Sequence, residues 1–91
     1  MSARRVVISG RVQGVGFRDW MRRQANTLGV SGWVRNTRAG TVEALLDGDP
    51  GAVAELLRAC RRGPPAAGVS SIVEELTDQA VDPGFRKLPT G

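Results

Sequence analysis

Apolar and polar positions alternate at the start of the chain. Val6, Ile8 and Val12 fall on one side and Ser9 and Arg11 on the other, which predicts a half-buried strand over residues 4–12. From Phe17 the spacing becomes helical, because Phe17, Trp20, Met21, Ala25 and Leu28 share one face, and Gly29 supplies the stop. Residues 30–36 and 41–47 read as a second and a third strand joined by a short hairpin loop at 37–40. Asp49 then caps a second helix with Pro50 at its first position. Val53, Leu56, Leu57 and Cys60 form its buried stripe, and Gly63-Pro64-Pro65 ends it. Residues 69–76 predict a fourth strand, and residues 85–88 a short last one entered through Asp82-Pro83-Gly84.

The order is βαββαβ plus a C-terminal strand, an α+β sandwich with both helices on one face of the sheet. Strands one and two flank a crossover helix and so run parallel, which puts their carboxyl ends at one edge of the sheet. The turn after strand one and Asn36 at the end of strand two are thereby expected close together, although far apart in sequence.

That turn carries the chemistry. In Gly10-Arg11-Val12-Gln13-Gly14-Val15-Gly16-Phe17-Arg18 a strand runs through a glycine-punctuated turn into the start of a helix. Glycines at 14 and 16 let consecutive backbone N–H groups point inward, and the helix adds its unpaired first-turn donors and the positive end of its dipole. Arg18 adds a planar fork of donors suited to a phosphate or carboxylate. Residues 13–18 are the candidate phosphate cradle: Gln13, Gly14, Val15, Gly16, Phe17 and Arg18. Asn36 is neutral at every relevant pH and cannot serve as a general base, but its carboxamide can hold a water in line for attack on phosphorus.

Composition narrows the reaction. The 91 residues hold no histidine and one cysteine, so thiolate or imidazole zinc sites and Ser-His or Cys-His nucleophiles are excluded. An alkyl phosphate releases an alkoxide that needs a proton donor or a metal. An acyl phosphate releases a carboxylate whose acid has a pKa of about 4, so it departs unassisted. An arginine, a backbone cradle and a positioned water suit the second substrate. The length predicts a single domain over residues 1–91, burying roughly 60–65% of the surface its unfolded chain exposes. The first ten residues have only three consecutive apolar positions, so no signal peptide is expected, and no run is long enough to span a membrane. Lone Cys60 fits a reducing, cytoplasmic setting and reads as an inert core thiol.

The net charge of +4 is uneven. Residues 1–38 hold Arg4, Arg5, Arg11, Arg18, Arg22, Arg23, Arg35 and Arg38 against Asp19 alone, whereas carboxylates outnumber cations from residue 39 onward. The half with the glycine turn is expected to draw anions.

Two segments resemble the signatures of the acylphosphatase family: residues 8–18, quoted above from Gly10, and Gly32-Trp33-Val34-Arg35-Asn36 followed by Gly40, Val42 and Gly48. The resemblance covers nearly the whole chain. It implies a ferredoxin-like fold with an antiparallel-type sheet, and metal-free, cofactor-free hydrolysis of acyl phosphates to a carboxylate and orthophosphate. By position it makes Arg18 the phosphate-binding arginine, Asn36 the water-orienting asparagine and residues 13–17 the cradle. It places Thr37 and Thr41 near hydroxyls that support the asparagine strand. The expected partners are a small acyl phosphate and, as competitors, inorganic phosphate or sulfate, with no nucleic acid and no membrane; a monomer is the simple expectation. The alternatives are a basic nucleic-acid-binding module, disfavoured by the absence of tyrosine and the scarcity of sheet aromatics, and a non-catalytic anion-sensing domain.

Overall fold

The computed structural model describes residues 3–91, whose elements are β1 (Ala3–Arg11), α1 (Phe17–Leu28), β2 (Ser31–Asn36), β3 (Val42–Asp47), α2 (Pro50–Cys60), β4 (Gly68–Thr77) and β5 (Phe85–Lys87). Each expected element is present, with ends within about two residues of the periodicity's boundaries. The strands form one sheet in the order β4-β1-β3-β2-β5. The pairs β4–β1, β1–β3 and β3–β2 are antiparallel, as the resemblance implied. β5 corrects that picture: it runs parallel to β2, so the sheet is mixed. The reason is topological. β4 and β5 lie at opposite edges of the sheet, and residues 78–84 carry the chain from one edge to the other, so β5 enters alongside β2 in the same direction instead of turning back on it.

The two helices cover one face. Val6, Ile8, Val34, Val42, Ala44 and Leu46 point from the sheet into a core completed by Phe17, Met21 and Ala25 of α1 and Val53, Leu56, Leu57 and Cys60 of α2. These are the positions the period-two and helical spacings select. Asp49 caps α2 by accepting from the Ala52 N–H at 3.1 Å. At the β1–β4 pairing the register shifts between Ser9 and Gly10. Gly10 has φ +120°, and a Cβ there would collide with the Gly68 carbonyl oxygen.

The opposite face is built on charge. Glu43, 4% exposed, is the buried carboxylate of the central strand. Arg35 donates from Nε to Glu43 Oε1 at 2.7 Å, and Arg5 forms an ion pair with the other oxygen. Arg35 in turn lies over the Trp33 ring, 5.1 Å from its centroid. Burial alone would push the Glu43 carboxyl up, but hydrogen bonds from Arg35 and Arg5 together hold it below its ordinary value. Two acidic residues of β4 have partners across the β1–β4 pairing: Arg5 meets Glu75 at 3.0 Å on this face, and Arg4 meets Glu74 at 2.8 Å on the helical side.

Glu43→Gln leaves two guanidinium groups facing a neutral amide. Losing one partner of a buried pair costs about 3–5 kcal/mol, and the exposure of both arginines reduces this to about 2 kcal/mol here. Because the folded carboxyl titrates below its free value of 4.5, the pair's contribution is complete above that pH and disappears as the pH falls through the lower folded value. Thermal melts recorded from pH 7 down to pH 3 should show the wild type losing its advantage over Glu43→Gln only on the acid side.

Candidate functional site

The turn between β1 and α1 is held open by two left-handed glycines, Gly14 at φ 73° and Gly16 at φ 77°. Space is not what requires glycine here, since a Cβ at either position would meet nothing within 4 Å; the backbone angle is. Gly16 is the N-cap of α1 and offers no side-chain oxygen. A serine or aspartate in that role would accept from the second or third helical N–H. With glycine, the first helical bond runs from the Trp20 N–H to the Gly16 carbonyl at 3.0 Å, and the N–H groups of Phe17, Arg18 and Asp19 are left for something else.

Two tethers fix this turn. Gln13 donates from Nε2 to the carbonyls of Thr37 (2.8 Å) and Thr41 (2.9 Å), locking the cradle to the β2–β3 hairpin. That hairpin is closed by the Thr37 N–H bonded to the Thr41 carbonyl at 2.9 Å and by the two threonine hydroxyls 2.7 Å apart. Behind the turn, Phe17 packs edge-to-face on Trp20, with centroids 5.4 Å apart, and Gly63 sits directly against the Phe17 ring.

The result is a concavity of about 110 Å³ walled by Val12, Gly14, Gly16, Phe17, Arg18, Asp19, Asn36 and Lys87. Arg18 and Asn36, eighteen positions apart in the chain, line the same hollow, as the parallel orientation of β1 and β2 requires. Arg18 makes no ion pair among the described residues. It donates one N–H, from Nη1, to the Leu88 carbonyl at 2.9 Å, which aims the guanidinium and leaves its other donors free. The Asn36 carboxamide makes no hydrogen bond to the protein among the described residues, while its backbone carbonyl accepts from the Gly91 N–H at 3.0 Å.

Of the sequence-derived candidates, Gly14, Gly16, Phe17, Arg18 and Asn36 line the hollow, and Gln13 and Val15 do not. Gln13 spends its side chain on the hairpin, and Val15 packs against the core. Thr37 and Thr41 support the strand that carries Asn36, in the place the resemblance gave them. Four contributors were not among the sequence candidates: Val12, Asp19 and Lys87 in the wall, and the Leu88 carbonyl that aims Arg18. Lys87 had one available signal, since it shares the inward-facing parity of buried Phe85 on β5, where a lysine is out of place in a core.

Asp19 forms ion pairs with Lys87 at 3.1 Å and Arg22 at 3.6 Å, and the Lys87 hydrogen bond is the main cause holding its carboxyl below the usual range. Cys60 is fully buried, and burial pushes its thiol up to about 12, so it is inert as a nucleophile. A larger hollow of about 440 Å³ lies among the exposed side chains of Glu55 and Arg58 on α2 and of Arg61 and Arg62 just after it. It has no converging backbone donors, and size is a poorer guide than donor geometry for an anion of phosphate dimensions. On the open sheet face the aromatic Trp33 is already covered by Arg35 of the Arg5–Glu43–Arg35 bridge, where a base-stacking module needs free aromatics, and both phenylalanines are buried.

The family model for acylphosphatase matches residues 4–87. A protein from Acidiphilium cryptum named acylphosphatase is 58% identical over 91 residues, covering all of both chains. The crystal structure of acylphosphatase from Bacillus subtilis superposes with a TM-score of 0.90 at 31% identity, covering 97% of this chain and 99% of that one. The structure of an acylphosphatase from Coxiella burnetii gives 0.91 at 34% identity, covering 96% and 92%.

Gln13→Ala removes both tethers without touching the wall of the hollow. The loss of two hydrogen bonds at about 1 kcal/mol each should lower stability by about 2 kcal/mol. The freed cradle should bind inorganic phosphate several-fold more weakly. Chemical denaturation and calorimetric titration with phosphate measure the two effects separately.

Proposed function

The chain belongs to the acylphosphatase family, and from that footing we propose that it hydrolyses acyl phosphates with Arg18 and the N–H groups of the residue 14–18 cradle holding the phosphoryl group and Asn36 orienting the attacking water. The observation that carries this reading is the convergence of a free guanidinium fork, a glycine-capped helix start and an unbonded carboxamide on one small hollow.

In the reaction, water oxygen forms a bond to phosphorus as the bond from phosphorus to the acyl oxygen breaks. The acyl group leaves as a carboxylate, and water's proton goes to solvent: RCOOPO₃²⁻ and H₂O give RCOO⁻, HPO₄²⁻ and H⁺. The transition state is loose, with charge spread over the equatorial oxygens, so the task is positioning and charge stabilisation. Arg18 and the cradle donors meet that charge, and the Leu88 carbonyl keeps the fork aimed. Asn36 accepts from the water and directs its lone pair to phosphorus. The weakly basic carboxylate needs no acid to leave, which accounts for a hollow without histidine.

The same reading takes residues 1–91 as a single domain acting as a cytoplasmic monomer on small acyl phosphates. Inorganic phosphate and sulfate compete for the cradle, and no cofactor is needed. A lone, buried and unreactive cysteine supports a reducing setting.

Release of orthophosphate from benzoyl phosphate tests the activity, and calorimetry with inorganic phosphate tests the cradle. Arg18→Ala should weaken phosphate binding and kcat/KM each by about 100-fold or more, the worth of two charge-assisted hydrogen bonds. Asn36→Ala should keep its phosphate Kd within about twofold while kcat falls about 100-fold. An Asn36→Ala protein with full turnover would remove the water-orienting role.

A further inference from the structure

β5 places a lysine where the alternation calls for a core residue. Phe85 is 6% exposed and packs under the sheet's helical face. Lys87, two positions on, points to the same side and stands beside Val34 in the parallel register, two residues short of Asn36 on the neighbouring strand. Its ammonium reaches the start of α1, where Nζ meets Asp19 Oδ2 at 3.1 Å, and both side chains form part of the wall that also includes Arg18, Gly14 and Gly16. The next carbonyl, that of Leu88, orients Arg18. The end of β5 thus contributes one cation directly to the hollow and aims another.

A carboxylate in the wall of an anion site opposes the ligand unless a cation accompanies it. Asp19 has two, but Arg22 is the more distant, at 3.6 Å and one helical turn away on an exposed surface. Lys87 is the one that shares the hollow. Its ammonium has three donors, and the contact with Asp19 uses one of them.

We propose that Lys87 is a second cationic ligand of the bound phosphoryl group, stationed at the wall by Asp19 and donating to a phosphoryl oxygen on the side of the hollow away from Arg18. The inference rests on reading this hollow as the phosphate site. It gives the hollow a second cation facing the dianion, its charge partly offset by Asp19, which acts as a positioning residue that holds the flexible lysine stem in place. The ammonium bonds to both at once, so the Asp19 contact is shared on binding and is not broken.

The test is calorimetric titration with inorganic phosphate, which requires no turnover. Lys87→Met should weaken binding about three- to tenfold, with KM for benzoyl phosphate rising by the same factor, and Lys87→Arg should restore binding to within about twofold. The decisive comparison is made in an Asp19→Asn background. There a lysine that contacts phosphate still matters, and adding Lys87→Met should weaken binding about threefold or more. A lysine that only neutralises Asp19 has nothing left to neutralise, and an unchanged Kd in that background would overturn the proposal. So would unaltered phosphate binding in Lys87→Met alone. If the wild type bound phosphate but left benzoyl phosphate intact, the hydrolytic reading would fail while the titrations still decided the role of Lys87.

Discussion

Backbone N–H groups at the start of α1 that no atom among the described residues satisfies are the constraint around which the rest of the fold is arranged. A glycine cap makes them available, but a glycine-rich turn is by nature loose, and unpaired donors bind an anion usefully only when they stay converged. The chain supplies stiffness from its other segments. The β2–β3 hairpin accepts both hydrogen bonds from Gln13, the α2–β4 turn presses Gly63 against Phe17, and the chain beyond β5 offers the Leu88 carbonyl to Arg18. The cradle's precision is therefore a property of the whole sandwich, although the cradle itself is short.

Charge follows the same logic of distribution. The basic N-terminal half and acidic C-terminal half suggest an electropositive end, yet the fold interleaves them. β1 lies between β3 and β4, so Arg4 and Arg5 meet Glu74, Glu75 and Glu43, and Arg35 meets Glu43 from the other side. Much of the apparent asymmetry is spent on holding the sheet together, with Arg5, Arg35, Glu43 and Glu75 on its open face and Arg4 and Glu74 on the helical side. Arg18 is different, because its one protein partner is a neutral carbonyl. It keeps its full charge for a ligand, and that separates it from the structural arginines more clearly than its place in the sequence does.

The elements were legible because each buries one face and its apolar period follows directly. Val6 and Ile8 at period two and Phe17, Met21 and Ala25 at helical spacing all reach the core. The meeting of Arg18 and Asn36 was legible as well, since two strands flanking a crossover helix must end at the same edge. The direction of β5 was not, because a three-residue strand carries no signal for which neighbour it joins or in which sense. Nor was the division of labour within residues 13–18. The glycines at 14 and 16 suggest a continuous cradle over residues 13–18, whereas Gln13 is long enough to reach the hairpin carbonyls and Val15 is apolar enough to be drawn to the core. Asp19 and Lys87 lie sixty-eight positions apart and meet only because the last strand returns to the site's edge of the sheet.

A hollow with so little reactive chemistry places its demands on geometry. Neither a carboxamide nor a guanidinium changes protonation state near neutral pH, so neither can compensate for poor alignment by moving a proton. Orientation alone can be worth several orders of magnitude in rate, but only for reacting atoms held close to contact distance and in line. This explains why both principal side chains are short of freedom at their bases. Asn36 closes a paired strand and is followed by a hairpin fastened by two threonine hydroxyls, and Arg18 occupies the first turn of a helix whose preceding turn is tied to that same hairpin. The two groups are thus referenced to one rigid body by separate routes. A leaving group as weakly basic as a carboxylate asks for nothing further, and a domain of this size can meet that demand with a single core.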